Sequence, residues 1–173
     1  AWRLAGGKAA GRKGLGGRAP EAISQEIAAS NRRGRGGAGF PTGKKWSLSP
    51  PPSDPPQRKY LVVDADEMEP GAFKDRLLME GDPHQLIECI IVSAFAIQAS
   101  VAYIFLRAEY TLAGRRLERA IAEASAAGYI GKNLLGAGFA LECTRHRRGG
   151  RDLCGAAARL LPSISPSRAG DPT

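Results

Sequence analysis

The sequence predicts an α/β sandwich, a central sheet flanked by helices, and three observations predict it. Lys59-Tyr60-Leu61-Val62-Val63-Asp64 and Val101-Ala102-Tyr103-Ile104-Phe105-Leu106-Arg107 have the length and side-chain branching of buried strands. Phe139-Ala140-Leu141-Glu142-Cys143 reads as a third. Helical patterns separate the three, so the order strand, helix, strand, helix, strand implies βαβ units with right-handed crossovers.

Each element has its own local reason. Residues 1–19 are Gly-, Ala- and Arg-rich without periodicity and are expected to be disordered or poorly packed. Pro20-Glu21 opens a short helix to about Ser30, with proline in the first turn. A glycine-rich loop follows. The stretch Trp46–Gln57 holds Pro50, Pro51, Pro52, Pro55 and Pro56 and reads as an exposed loop. Past the first strand, Ala72–Gly81 reads as a charged connector. Asp82-Pro83-His84-Gln85 is a helix start, with Asp as N-cap, Pro at the first position and Gln closing a capping box. Leu86, Ile87, Ile90, Ile91, Ala94, Phe95 and Ile97 make that helix largely buried, and Cys89 within it is expected in the core. His84 reads as a surface or capping residue, and His146, in an arginine run, carries no catalytic signal. Thr111 is expected to cap a helix to Ala127, closed by Gly128, with Leu112, Leu117, Ile121 and Ala124 on one face. Gly136-Ala137-Gly138 leads into the third strand. From Gly149 the pattern breaks down, with one short helix expected at Cys154–Leu161.

The chemistry concentrates in two stretches. Gly34-Arg35-Gly36-Gly37-Ala38-Gly39-Phe40-Pro41-Thr42-Gly43 carries five glycines in ten residues. Bare amides in such a loop form a concavity for an anion. Arg35, Lys44 and Lys45 add positive charge there, so the simplest ligand is a phosphate, carried by a nucleotide or flavin. Gly34, Gly36 and Gly39 also spell G-x-G-x-x-G, but a helical segment precedes them and a proline cluster follows, which is the wrong setting for a dinucleotide fingerprint. The second stretch, Asp64-Ala65-Asp66-Glu67-Met68-Glu69-Pro70-Gly71, puts four carboxylates just past the C-terminal end of a strand. In open α/β sheets that is the edge where ligands bind.

Composition excludes other classes. A chain of 173 residues with 43% hydrophobic residues is expected to build one packed domain. The net charge of +8 lies at the two ends, while residues 38–144 are slightly acidic. Those ends carry a single aromatic, Trp2, to stack on bases, so a basic nucleic-acid-binding module is a distant reading. Cys89, Cys143 and Cys154 are widely spaced, without a C-x-x-C metal or cluster spacing, and fit a reducing compartment. No apolar run reaches the length of a membrane span.

Several long motifs in order carry a resemblance: Gly34–Trp46, Ala65–Gly71, Lys74–Glu80, Tyr103–Arg107 and Gly131-Lys132-Asn133. Together they resemble the NADH-oxidising flavoprotein of respiratory complex I, the 51 kDa-type component of bacterial NADH–quinone oxidoreductases and of the mitochondrial enzyme. The resemblance covers about residues 20–161, making 20–161 an FMN- and NADH-binding domain between segments 1–19 and 162–173. Diaphorase components of NAD-linked hydrogenases and formate dehydrogenases share these motifs. What the resemblance implies is an FMN phosphate on Gly34, Arg35, Gly36, Gly37 and Gly39, with Lys45 contacting the flavin. It places Asp64, Asp66 and Glu67 beside the flavin and its ribityl chain, and Phe40 and Glu69 against NADH. NADH would then deliver hydride to the flavin, and no side chain need act as acid or base. The implied partners are the 24 kDa-type iron–sulfur subunit and the rest of the hydrophilic arm, on the cytoplasmic side of the bacterial membrane. The family's 4Fe–4S cysteines are not in this chain.

The chain also departs from the pattern. Asp64 stands where the family has Asn and cannot donate as Asn does. Asp152-Leu153-Cys154-Gly155-Ala156-Ala157-Ala158 replaces a Tyr-x-Cys-Gly-Glu-Glu-Thr run, losing a tyrosine and two glutamates. The expectation is therefore a shortened or degenerate relative that binds FMN weakly.

Overall fold

The computed structural model describes residues 17–50, 57–134 and 138–148, the side chains of 147 and 148 excepted. The expectations for the N-terminal segment, the prolines at 51–56, Gly136-Ala137 and everything after 148 fall wholly or mainly outside these residues.

The elements in chain order are α1 (Pro20–Ala29), α2 (Thr42–Ser47), β1 (Tyr60–Ala65), α3 (Lys74–Gly81), α4 (Pro83–Ile97), β2 (Val101–Arg107), α5 (Thr111–Ala126) and β3 (Glu142–Arg148). The three strands form a parallel sheet in the order β1-β2-β3. Tyr60 stands opposite Val101, and Val101 opposite Glu142. Parallel strands need crossovers, which α3–α4 and α5 supply. With both crossovers of the same hand, α4 and α5 lie on one face and pack on each other. Ala65, Ile87, Ile91, Ile104, Leu106 and Leu117 are buried in a single core between these helices and the sheet. The alternate strand positions point the other way, where Tyr60 stacks on Tyr103 and Phe105 on His146, each pair 6.1 Å between ring centroids.

Local chemistry explains the elements. Asp82 accepts from the Gln85 amide at the start of α4, as the sequence implies. Gln98 ends α4 in the left-handed conformation, φ 57°. Ala72–Gly81 is not merely a connector, since α3 occupies Lys74–Gly81. Its Arg76 pairs with Glu80 one turn on, at 2.9 Å. α2 likewise interrupts what reads as irregular chain. It exists because Gly43 lets it settle on α1: a Cβ at Gly43 would lie 2.5 Å from the Ala28 Cα.

Other expectations are corrected. The third strand begins at Glu142, not Phe139, because the apolar start Phe139–Leu141 closes a loop in which Leu141 pairs with Gly131. Thr111 is the first residue of α5 rather than its cap. Cys89 is exposed, since Ile87, Ile91 and Ala94 take the core side of α4 and 100° per residue carries position 89 to the far side. His84 is buried rather than superficial, with Nε2 3.0 Å from Glu123 Oε2, and joins α4 to α5.

Candidate functional site

After α1 the chain reverses at Asn31, which adopts φ 50°. Arg33 and Pro41 pair across the loop. The Gly34 amide donates to the Phe40 carbonyl at 3.0 Å and the Thr42 amide to the Arg32 carbonyl at 2.8 Å. These bonds pinch residues 35–39 into a closed tip, turned by Gly39 at φ 73°. Among the described residues, the amides of Arg35, Gly36, Gly37, Ala38 and Gly39 donate to no backbone carbonyl. A Cβ at Gly36 or Gly37 would meet nothing within 4 Å. The protein's own packing therefore does not demand glycine there. Small residues at those positions leave open space in front of amides that no described backbone carbonyl takes, which is the form of an anion cradle.

That tip walls a cavity of about 570 Å³, within the range of small-molecule sites. Gly34, Gly36, Gly37, Gly39, Phe40 and Lys45 line it, with Ala38, Thr42, Trp46 and Ser49. Leu61 and Val62 of β1 and Ser93 and Ile97 of α4 close the opposite side. The walls are mainly apolar, with Lys45 and half-exposed Phe40 among the lining groups. Thr42, Ser49 and Ser93 bring hydroxyls that sequence reading does not single out. Arg35 is not brought into this cavity. It lines an adjoining recess of about 510 Å³ with Ser30, Asn31, Arg32 and Arg33.

The acidic residues form a second group, further along the strand whose Leu61 and Val62 line the cavity. Asp64 Oδ1 accepts from the Asp66 amide at 3.1 Å, a local turn. Asp66 is half-buried. Burial, and next the Asp64 charge, push its carboxyl above the usual aspartate value, while Arg107 pulls it back. Glu69 is exposed. Glu67 is only 5% exposed and its carboxylate turns inward. It accepts from the Asp75 and Arg76 amides at 2.9 and 3.1 Å, capping α3, with Lys74 Nζ 3.7 Å away. Burial pushes Glu67 up, but those two amides and Lys74 outweigh it and hold the carboxyl below the usual glutamate value.

Two residues that sequence reading leaves without a role hold this loop. Arg107, at the end of β2, donates from Nη1 to the Glu67 carbonyl at 2.5 Å and from Nε to Glu109 at 3.2 Å. The Tyr110 hydroxyl reaches Glu67 Oε2 at 3.5 Å. The Tyr110 ring receives the guanidiniums of Arg76 and Arg107, 5.4 and 5.9 Å from its centroid. Among the described residues no three or more His, Cys, Asp or Glu side chains gather to hold a metal. None of the described helices is long and apolar enough to cross a membrane.

The chain is similar to several known proteins. The model of the Nuo51 FMN-binding domain matches residues 27–169. The F2 component of the NADH-quinone oxidoreductase of Rhizobium meliloti (strain 1021) is 51% identical over 168 residues, 97% of this chain and 39% of that protein. The F component of the NADH-quinone oxidoreductase of Escherichia coli (strain K12) is 48% identical over 168 residues, 97% of this chain and 38% of that protein. Among solved structures, an NAD+-reducing NiFe-hydrogenase in the H2-reduced state superposes with a TM-score of 0.71 at 35% identity, covering 83% of this chain and 24% of that one. The chain thus spans 38–39% of the length of the two curated relatives.

Proposed function

The chain belongs to the Nuo51 FMN-binding domain family, and on that premise we propose that it binds FMN at the glycine tip as part of an NADH-oxidising subunit. The observation that carries this reading is the 570 Å³ cavity lined by glycines whose amides no described backbone carbonyl takes. Gly36, Gly37 and Gly39 hold the phosphate through their amides, and Lys45 supplies an opposing charge. Arg35, in the adjoining recess, adds positive potential to the same loop. Asp64 and Asp66 accept hydrogen bonds from ribityl hydroxyls, and Glu67 shapes their loop from within. Phe40 offers a face on which the nicotinamide nucleotide stacks, and Glu69 accepts from its ribose. FMN, when bound, supplies the hydride-accepting chemistry. The residues of the chain bind and orient.

Iron–sulfur groups and quinone would be the onward acceptors for electrons from FMN bound there. The proposed partners are a 24 kDa-type iron–sulfur subunit and the other hydrophilic-arm subunits, on the cytoplasmic side of the bacterial inner membrane. A second reading, the matching component of an NAD-linked hydrogenase, draws on the hydrogenase superposition. Co-purification with either set of subunits separates the two.

The test is flavin fluorescence quenching on titration with FMN and, in parallel, riboflavin. FMN should bind with a dissociation constant of about 1 μM or weaker, since Ala156, Ala157 and Ala158 replace hydrogen-bonding side chains. Riboflavin should bind at least about tenfold more weakly, losing charge-assisted bonds to the amides. Equal binding of the two removes the phosphate from the glycine tip, and no quenching by FMN at millimolar concentration refutes the cofactor assignment.

A further inference from the structure

We propose that Arg107 is the positioning residue of the acidic loop, acting through the Glu67 backbone rather than by touching ligand. The inference rests on the FMN reading for its functional half and on geometry alone for the rest.

Past the end of β1, the loop 66–71 is tied to the rest of the fold chiefly through Glu67, whose carboxylate takes the Asp75 and Arg76 amides and whose carbonyl takes Arg107. Its local bonds are the Asp64–Asp66 turn and an Ala72 amide to the Glu69 carbonyl, at 3.1 Å each. Two neighbouring carboxylates, Asp64 and Asp66, repel each other at its start. Arg107 acts on the backbone and on this repulsion. One arm of its guanidinium takes the Glu67 carbonyl, which fixes the backbone immediately after Asp66. Its charge also favours the ionised form of Asp66.

The guanidinium itself is held. Glu109 takes its Nε, and the Tyr110 ring lies beside it with Arg76 also against that ring. Glu67 is caught at two points, its carbonyl by β2 and its carboxylate by the first turn of α3. The planar fork of arginine makes two such bonds at fixed angles, which a lysine ammonium does not. Asp66 is thereby presented at the strand end with its backbone immobilised.

The experiment uses the full chain as wild type, Arg107→Gln, Arg107→Lys and Glu109→Gln. FMN titration and the visible circular dichroism of bound flavin are measured, with hydrogen exchange and thermal melting of the ligand-free chain. Arg107→Gln should raise the FMN dissociation constant about tenfold, the loss of one charge-assisted hydrogen bond. It should also change the flavin dichroism and speed amide exchange across residues 66–69 while β1 stays protected. Arg107→Lys should recover part of the affinity, and Glu109→Gln should leave it within about twofold of wild type. If wild type binds no FMN, the cofactor reading falls, but unchanged exchange at 66–69 in Arg107→Gln would still overturn the positioning role. Unchanged FMN affinity and dichroism in that variant overturn its functional half. Exchange that rises equally across β1 and the core, with a matching drop in melting temperature, shows a purely structural residue and overturns it too.

Discussion

At Gly43, α2 lies so near α1 that a methyl group has no room, with the nearest Ala28 atoms at 2.5, 2.7 and 2.8 Å. Two of those atoms are backbone, so they cannot yield as a side-chain tip would. Gly43→Ala should therefore cost about 1–3 kcal/mol, the usual penalty of overpacking, read as a lower urea midpoint. Trp46 and Thr42 would shift with α2, so FMN affinity should fall as well. Glu67 sets a different dependence. Its folded carboxyl titrates below the usual glutamate value. Its contribution is thus complete above the unfolded value and disappears as pH falls through the folded one. Stability followed by chemical denaturation should decline on acidification in this window, and Glu67→Gln should flatten that part of the profile. A flat wild-type profile would contradict the capping geometry. The direction of Glu67 is not legible in sequence. An acid seven residues upstream of a helix start lies outside any local capping pattern, and only folding brings it there.

The elements divide by how local their causes are. β1 and β2 are each built on a continuous apolar run, so their ends fall within a residue of expectation. α4 announces itself through Asp82-Pro83, and its cap is seen in place. Asp82→Ala should cost about 1 kcal/mol, measured by urea unfolding, and a neutral result would mean that the cap bond is not made in solution. β3 is harder to place because its residues, Glu142-Cys143-Thr144-Arg145-His146-Arg147-Arg148, do not look like a strand. They are tolerated because Arg145 bonds Glu118 on α5 and His146 lies on Phe105. α2 and α3 escape a local reading for a related reason. One depends on Gly43 meeting Ala28 and the other on Glu67, and both contacts lie beyond the reach of a local helix signal. The glycine tip is legible because its chemistry is its composition. The separation of Arg35 from the cavity is not, because consecutive residues of a tight tip face different ways.

For the molecule as a whole, ligand and fold share a boundary. The cavity is bounded by α2, β1, α4 and the glycine tip, so filling it ties elements that otherwise meet only in part. FMN at about a hundredfold above its dissociation constant should add about 2.7 kcal/mol and raise the melting temperature by about 5–10 °C in a chain of this size. Riboflavin at the same concentration should add less, and equal shifts would speak against a phosphate-led site. Among the described residues β1 hydrogen-bonds to β2 alone. Its outer margin pairs with no other described strand, and Leu61 and Val62 of β1 also form the cavity wall. In concentrated, flavin-starved solution two copies can stitch together along such margins, so the cofactor would double as a chaperone for the strand beside it.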